Sequence, residues 1–502
     1  MINSWLRHSI IWLAAVIIFL PHAAGMKPAS EKPQPQPPSE RETVQHPDSM
    51  KFDPLDWKIP LGKSYRTVLK NGPVAYIAVD SSLPMITIEA HIRYGSLEDP
   101  EQKHGIGSLM AKLLRTGGTE KYSADSLEAL IDQLAMKFSF SQSESHITFK
   151  TSFLSEYMNT ALDIMEQMFY HPRFQPEKIK KEKTILKEYI RHRFVNPGPA
   201  LNAAYRKLMY PQSSAARLIS AISLDSISRD DLITLHEKVF KKRDIVLAAS
   251  GKFDRKEMIT DINTIFRPYS QEKREKIPEI KIAPKSQGLV VDKNINQTYV
   301  RMGLPLFKRP HKDYYPVSVL NVILGGGGFT SRLATKIRSD EGLTYSIYSH
   351  SESNYLYPGT IYIDFYTKTE SFPRAVSLVL EEIRKIREKG VTEQELENAK
   401  AMLISQLPSM FRSPEDIVST YALNEFFGRS PDHFTKYSST IRGLRKKDID
   451  AAARKYLDTS NLTYTVVGDT SALLKKADGD FFSLTSLETK KVISTDSLSS
   501  LP

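Results

Sequence analysis

The chain has 502 residues, of which 40% are hydrophobic and 25% charged, with a formal net charge of +11. That length makes two domains the natural expectation, and the composition is that of a soluble globular protein. With no cysteine, disulfides, cysteine–zinc sites and thiol catalysis are excluded, and because lysine and arginine are spread along the chain with no aromatic-basic motif, no nucleic-acid partner is expected.

The N-terminus reads as an export signal. Arg7 and His8 precede an apolar run from Ile10 to Leu20, too short for a comfortable membrane span but suited to a signal-peptide core. Ala23, Ala24 and Gly25 offer a cleavage site. The alternative is an uncleaved anchor, giving possible membrane attachment through the N-terminus. Residues 26–54 are proline-rich and polar, which predicts an extended linker.

The folded part is expected from residue 55. Val74–Val79, Met85–Ile92 and Ser145–Lys150 are strand-like; Gly105–Leu114, Ser126–Leu134, Tyr157–Phe169 and Glu177–Arg193 carry helical patterns. The chain then repeats itself. Asp231 begins a helical segment leading to the apolar run Ile245–Gly251, and Asp448 begins one leading to Leu462–Gly468. The same offset of 217 residues separates Asp231 from Asp448, Gly251 from Gly468 and Glu177 from Gln394. A period this long means a duplicated domain. Strands and helices mix with hairpin-like adjacency, so each half is expected to be α+β and not a doubly wound parallel sheet. The expected organisation is a signal peptide or anchor over 1–25, the linker over 26–54, a first domain over 55–270, a charged linker over 271–286, a second domain over 287–475 and a flexible tail over 476–502.

One stretch carries the densest information. Val317–Leu324 has the apolar content of a buried helix and runs into Gly325, Gly326, Gly327 and Gly328, which are expected to end it, because glycine loses too much backbone entropy inside a helix. Thr330 or Ser331 is placed to cap the next helix. Leu333 and Ile337 give that helix an inward face, and Asp340-Glu341-Gly342 breaks it. Thr344–Tyr348 alternates as a strand. Arg338 then lies near a helix end and Tyr345 at a strand start, close enough to share one wall of a cavity. A simple packing unit fits these residues too. A phosphate loop does not, since no lysine follows the glycines at the required spacing.

The glycine run, Ser331-Arg332-Leu333, Arg338, Gly342-Leu343 and Tyr345 together resemble the C-terminal half of the M16 (pitrilysin/insulinase-like) metallopeptidases, in the subfamily M16B that includes mitochondrial processing peptidase. The resemblance covers residues 55 to 475. It implies two homologous α+β domains facing each other as a clamshell. It also implies that Arg338 and Tyr345 are catalytic, donating hydrogen bonds to the substrate carbonyl beside a zinc ion, and that Gly325, Gly326, Gly327 and Gly328 help bind peptide. Such donors can stabilise a developing oxyanion.

Active members carry His-x-x-Glu-His on a helix of the first domain, two zinc ligands four apart with a base between them. The matching helix here has Ser108, Ala111 and Lys112 at those positions. Serine is a poor zinc ligand, alanine is no base, and lysine repels a cation. Glu188 falls at the spacing of the last ligand but reads better as a solvated or ion-paired residue, and His104 as a surface histidine. The resemblance therefore implies no cofactor on this chain, Zn²⁺ on a partner M16 subunit that carries His-x-x-Glu-His, peptide substrates, and a chain inactive alone that acts as the second subunit of a heterodimer in the periplasm. The alternative is a non-catalytic scaffold or peptide-binding member.

Overall fold

A computed structural model describes residues 57–270, 277–283, 287–474, 482–484 and 490–500. The expected export segment, the proline-rich linker and most of the charged linker lie outside the described residues. No described helix is long and apolar enough to cross a membrane.

Each half is built on a six-stranded mixed sheet. The first half runs β1 Arg66–Val68, β2 Val74–Val79, β3 Met85–Ile92, α1 Ile106–Thr116, α2 Ala124–Gln133, β4 Lys137–Gln142, β5 Ile147–Leu154, α3 Met158–Tyr170, α4 Pro176–His192, α5 Pro197–Met209, α6 Ala221–Asp225, α7 Arg229–Phe240, β6 Ile245–Gly251 and α8 Arg255–Ile265. The second runs β7 Gly288–Asp292, β8 Gln297–Pro305, α9 Tyr314–Asn321, β9 Ile347–Glu352, β10 Thr360–Lys368, α10 Phe372–Lys389, α11 Glu393–Ser405, α12 Pro414–Phe426, α13 His433–Gly443, α14 Lys446–Tyr456, β11 Thr463–Gly468, α15 Thr470–Leu473 and β12 Lys490–Ser494.

The strand orders are β1-β2-β6-β3-β5-β4 and β12-β7-β11-β8-β10-β9. They superpose strand for strand from β2 against β7 to β4 against β9. In each, the last strand of the matched set pairs in parallel with one neighbour (β6 with β2, β11 with β7) and antiparallel with the other (β6 with β3, β11 with β8). The duplication is thus one of topology as well as sequence, and the α+β class is observed.

The two halves interlock. One face of each sheet packs on its own helices, in cores that include Phe149, Phe169 and Phe240 in the first half and Phe365, Val376 and Ile383 in the second. The other face is covered by a helix from the opposite half. α12 lies across β2 and β6, burying Val418, Tyr421, Ala422 and Phe426 against Tyr76, Ala78, Val246 and Ala248. α5 lies across β11, β7 and β8, burying Ala200, Leu201, Ala203 and Ala204 against Leu289, Val291 and Val467. Pro197 and Pro414, each in the first turn of its helix, stand 217 residues apart, so the exchange is part of the repeat. It explains why β6 and β11 are buried along almost their whole length: both faces are covered. Polar contacts seal the seam. Arg66 donates to both carboxylate oxygens of Glu425 at 3.1 and 3.0 Å, and the Tyr76 hydroxyl donates to the same carboxylate at 2.9 Å.

Part of the chain end departs from the expectation of a flexible tail over 476–502, and apart from 482–484 and 490–500 that tail lies outside the described residues. Residues Lys490–Ser494 form β12, paired in parallel with β7, and Ile493 and Leu498 are buried with α5. An unpaired edge of β7 draws in a short segment that has few apolar positions and little periodicity by itself.

Candidate functional site

The glycine-rich segment departs from the expected geometry. α9 does not stop at the glycines but widens into a π-helical turn over Val322–Gly326, with the Gly327 N–H bonded to the Val322 carbonyl at 2.9 Å. The apolar residues explain the persistence: Val319, Leu320, Ile323 and Leu324 are buried, and each added turn buries more of them. Gly325 is required by close approach, because a Cβ there would lie 2.5 Å from the backbone nitrogen of Ser349 on β9. Gly328, at φ +64°, takes a left-handed conformation that reverses the chain.

Phe329 follows and stands 66% exposed. Ser331 holds the N-cap position of the next helix, in extended backbone with its carbonyl accepting from the Thr335 N–H at 2.9 Å, while its buried hydroxyl donates to the Gly328 carbonyl at 2.7 Å and not to the helix. That helix is also π-helical, over Ala334–Asp340. Leu333 and Ile337 point inward as expected. Arg332 is structural: it forms a two-pronged ion pair with Glu395 at 2.6 and 2.8 Å. Gly342, at φ +63°, turns the chain out of the helix while the Leu343 N–H reaches back to the Ile337 carbonyl at 3.0 Å.

Tyr345 precedes the strand, which begins only at Ile347. Its placement comes from its neighbours. The buried Thr344 hydroxyl lies 2.6 Å from the Tyr366 carbonyl, and the Thr367 hydroxyl donates to the Leu343 carbonyl at 2.6 Å. Both tie this turn to β10 and leave Tyr345 projecting, 76% exposed.

Arg338 and Tyr345 meet. The guanidinium carbon lies 4.7 Å from the centre of the Tyr345 ring and 4.0 Å from that of Phe329. Arg338 is thus held between two exposed aromatic rings, a cation–π arrangement. Among the described residues no carboxylate pairs with it. Glu341, three residues on, is taken by Lys336 and Arg374, each at 3.0 Å. The two ring contacts hold the guanidinium in place and leave its N–H groups, like the Tyr345 hydroxyl, available to an outside acceptor. Phe329 is the member of this trio that sequence reasoning missed; an aromatic residue one position after a glycine run gives no periodic signal.

The matching region of the first half is α1. Ser108 is half-buried, Ala111 buried and Lys112 exposed, so they form no ligand set, and among the described residues no three His, Cys, Asp or Glu side chains are placed to hold a metal ion. Glu188 on α4 is exposed and pairs with Arg191 at 2.8 Å. The carboxylate that faces α1 is Glu182, buried and accepting from Thr116 at 3.1 Å. His104 corrects the expectation of a surface histidine. It is buried beside Asp99, and burial holds its imidazole down to about 4. Asp99 occupies the start of α1, where it accepts from the Gly105 N–H at 2.9 Å and from the Tyr94 hydroxyl at 2.9 Å; burial pushes its carboxyl up to about 6.

A likeness to known proteins accounts for this pairing of two halves. A model described as "Insulinase (Peptidase family M16)" matches residues 77–214, and one described as "Peptidase M16 inactive domain" matches residues 226–403. The chain belongs to the M16 peptidase family. Among curated relatives, a protein of Helicobacter pylori named "Non-peptidase homolog YmxG" is 26% identical over 392 residues, covering 77% of this chain and 90% of the relative. An "Uncharacterized zinc protease YmxG" of Bacillus subtilis is 25% identical over 396 residues, covering 78% and 93%. Among solved structures, a peptidase M16 inactive domain from Pseudomonas fluorescens superposes with a TM-score of 0.71 at 22% identity, covering 81% of this chain and 97% of that one. At that identity the superposition speaks for the fold alone.

Proposed function

We propose that this chain is the metal-free subunit of a two-chain M16 peptidase. In that role Arg338 and Tyr345 orient the carbonyl of a peptide bound at a partner's zinc site and stabilise the charge that develops on its oxygen. The observation that supports this most is the trio Phe329–Arg338–Tyr345: a guanidinium fixed between two rings, without a carboxylate partner, beside an exposed phenol. Preorganised donors of this kind act in the transition state without further rearrangement. The half-buried turn over Gly326 to Gly328, which follows the buried Gly325, lies beside them, where the backbone of an extended peptide can pass. Ser108, Ala111 and Lys112 assign the metal and the general base to another chain, one that carries His-x-x-Glu-His. The apolar run from Ile10 to Leu20 supports export to the periplasm, by a cleaved signal or with the segment kept as an anchor.

A second reading, a non-catalytic scaffold or peptide-binding subunit, is favoured by the name "Non-peptidase homolog" given to the Helicobacter pylori relative. One experiment separates the two. A quenched fluorescent peptide is offered to the purified chain alone, and then to a mixture with an M16 chain of the same organism that carries His-x-x-Glu-His, with zinc present. Turnover only in the mixture, lost in Arg338→Ala, is the expected result. Peptide binding without turnover in either case moves the assignment to the scaffold. Turnover unchanged by Arg338→Ala and Tyr345→Phe would falsify the donor role.

A further inference from the structure

Away from the Arg338 turn, the second half carries a cationic cavity of about 430 Å³ that the peptidase reading does not use. It lies where the loop after β8, the β9–β10 loop and the α12–α13 loop converge. Its polar lining includes Arg309, Lys312, Arg429 and His433, and its aromatic walls include Tyr314, Tyr355 and Phe427.

The two arginines are held in an unusual way. The Arg309 guanidinium stacks on Tyr314 at 3.8 Å and on Tyr355 at 4.6 Å. The Arg429 guanidinium sits over the same Tyr355 ring at 5.1 Å and donates from Nε to the Tyr355 hydroxyl at 2.8 Å. Tyr355 in turn stacks on Phe427 at 5.3 Å. One tyrosine therefore gathers two like charges, and among the described residues neither has a carboxylate partner. The carboxylates in the neighbourhood are engaged elsewhere: Asp313 with Lys455 and Tyr456 at 2.7 and 2.6 Å, Asp432 with Lys436 at 2.8 Å. Burial, with Arg429 and Arg309 adding to it, holds the His433 imidazole down to about 4, so it is neutral at neutral pH and available to either donate or accept.

A half-buried cationic cluster without a counter-charge is a site for an anion. Planar guanidiniums match phosphoryl oxygens in a two-pronged geometry, and the two held guanidiniums, Arg309 and Arg429, with the exposed Lys312 beside them, suit a phosphoryl group, whether monoester or diester. The volume falls in the range of about 300–1,000 Å³ usual for small-molecule sites. We infer that this cavity binds a phosphoryl group, carried either by a small phosphomonoester or by a phospholipid headgroup.

The test uses the full chain. Inorganic phosphate and phenyl phosphate are titrated calorimetrically, and co-sedimentation is measured with phosphatidylcholine vesicles with and without phosphatidylglycerol. Saturable phosphate binding is expected, weakened about tenfold or more in Arg309→Gln and in Arg429→Gln. Tyr355→Phe, which keeps the shared ring and removes only the hydroxyl, is expected to weaken binding less and provides a fold-conserving check, with circular dichroism confirming that each variant is folded. Sedimentation that requires phosphatidylglycerol and is lost in Arg309→Gln identifies a lipid headgroup; tighter binding of phenyl phosphate without vesicle binding identifies a soluble monoester. No saturable phosphate binding by the folded wild-type chain, or equal binding by the folded arginine variants, overturns the inference.

Discussion

The same pair of helices occurs twice in this chain, and the two copies differ where chemistry is at stake. In the first half α1 and α2 are regular: α1 ends at Gly117, and Ser123 caps α2 by accepting from the Ser126 N–H. In the second half each corresponding helix carries a π-helical segment, Val322–Gly326 at the end of α9 and Ala334–Asp340 in the next helix, and the segment between them pushes Phe329 into solvent. A regular helix can pack well whether or not it holds a metal, and α1, with Ser108, Ala111 and Lys112, is regular and has no ligand set among them. Keeping a widened backbone is different. π-turns are rare, poorly bonded and concentrated at functional sites, and a scaffold gains nothing by retaining two of them around an unpaired arginine. The contrast is the physical ground for preferring the donor role.

Acid should separate the halves most strongly. His91, His104, His146 and His236, four histidines of the first half, are held down to about 4 by burial, against His433 alone among the described residues of the second half. Their folded values lie below the ordinary 6.5, so the stability they contribute is complete above pH 6.5 and is lost as pH falls towards and through 4. Asp99, pushed up to about 6, acts in the opposite sense: its contribution is greatest at low pH and is lost as pH rises through 6, so it offsets part of the loss. Hydrogen exchange between pH 7 and 4.5 should show β3, β5 and α12 losing protection before β8 and β10; equal loss in both sheets would break the comparison.

The next effects concern the irregular helices themselves. In the two-chain complex Arg338→Ala is expected to lower kcat about 10²–10³-fold, the usual loss for one oxyanion donor. The melting temperature should stay unchanged, since the exposed rings hold nothing else in place. Gly325→Ala presses a methyl group on the Ser349 backbone, costing about 1–3 kcal/mol as overpacking does; a calorimetric melt reads this directly. Phe329→Ala removes one of two rings from Arg338, an exposed cation–π contact worth about 0.5–1 kcal/mol. The expected result is a few-fold loss in kcat with KM little changed. A loss as large as that of Arg338→Ala would mean that Phe329 touches substrate itself.

Much of the fold was legible because it rests on periodicity: the apolar runs at β2, β3, β6 and β11, and the offset of 217 residues that repeats from Glu177 to Gly468, follow from side-chain patterning alone. The neighbourhood of Arg338 and Tyr345 was legible through the motif around them. What escaped prediction depends on tertiary context. Glycine propensity argues for a break at Gly325, and only the burial of Ile323 and Leu324 carries the helix onward. Residues 490–500 have too few apolar positions to declare a strand until the β7 edge is there to receive them. The apolar face of α5 or α12 shows that it must be covered, but not that the sheet it covers belongs to the other half.

That exchange of helices has a consequence for biosynthesis. The outer face of the first sheet, with Tyr76, Ala78, Val246 and Ala248, is complete once residue 251 has been made, yet its cover arrives only with Phe426 at the end of α12. For the intervening stretch of synthesis the nascent chain carries a finished but sticky apolar surface, of the kind that recruits chaperones or aggregates. The first half is therefore a unit of heredity and of topology but not a unit of folding, and a fragment cut at the linker should be insoluble where the whole chain is not.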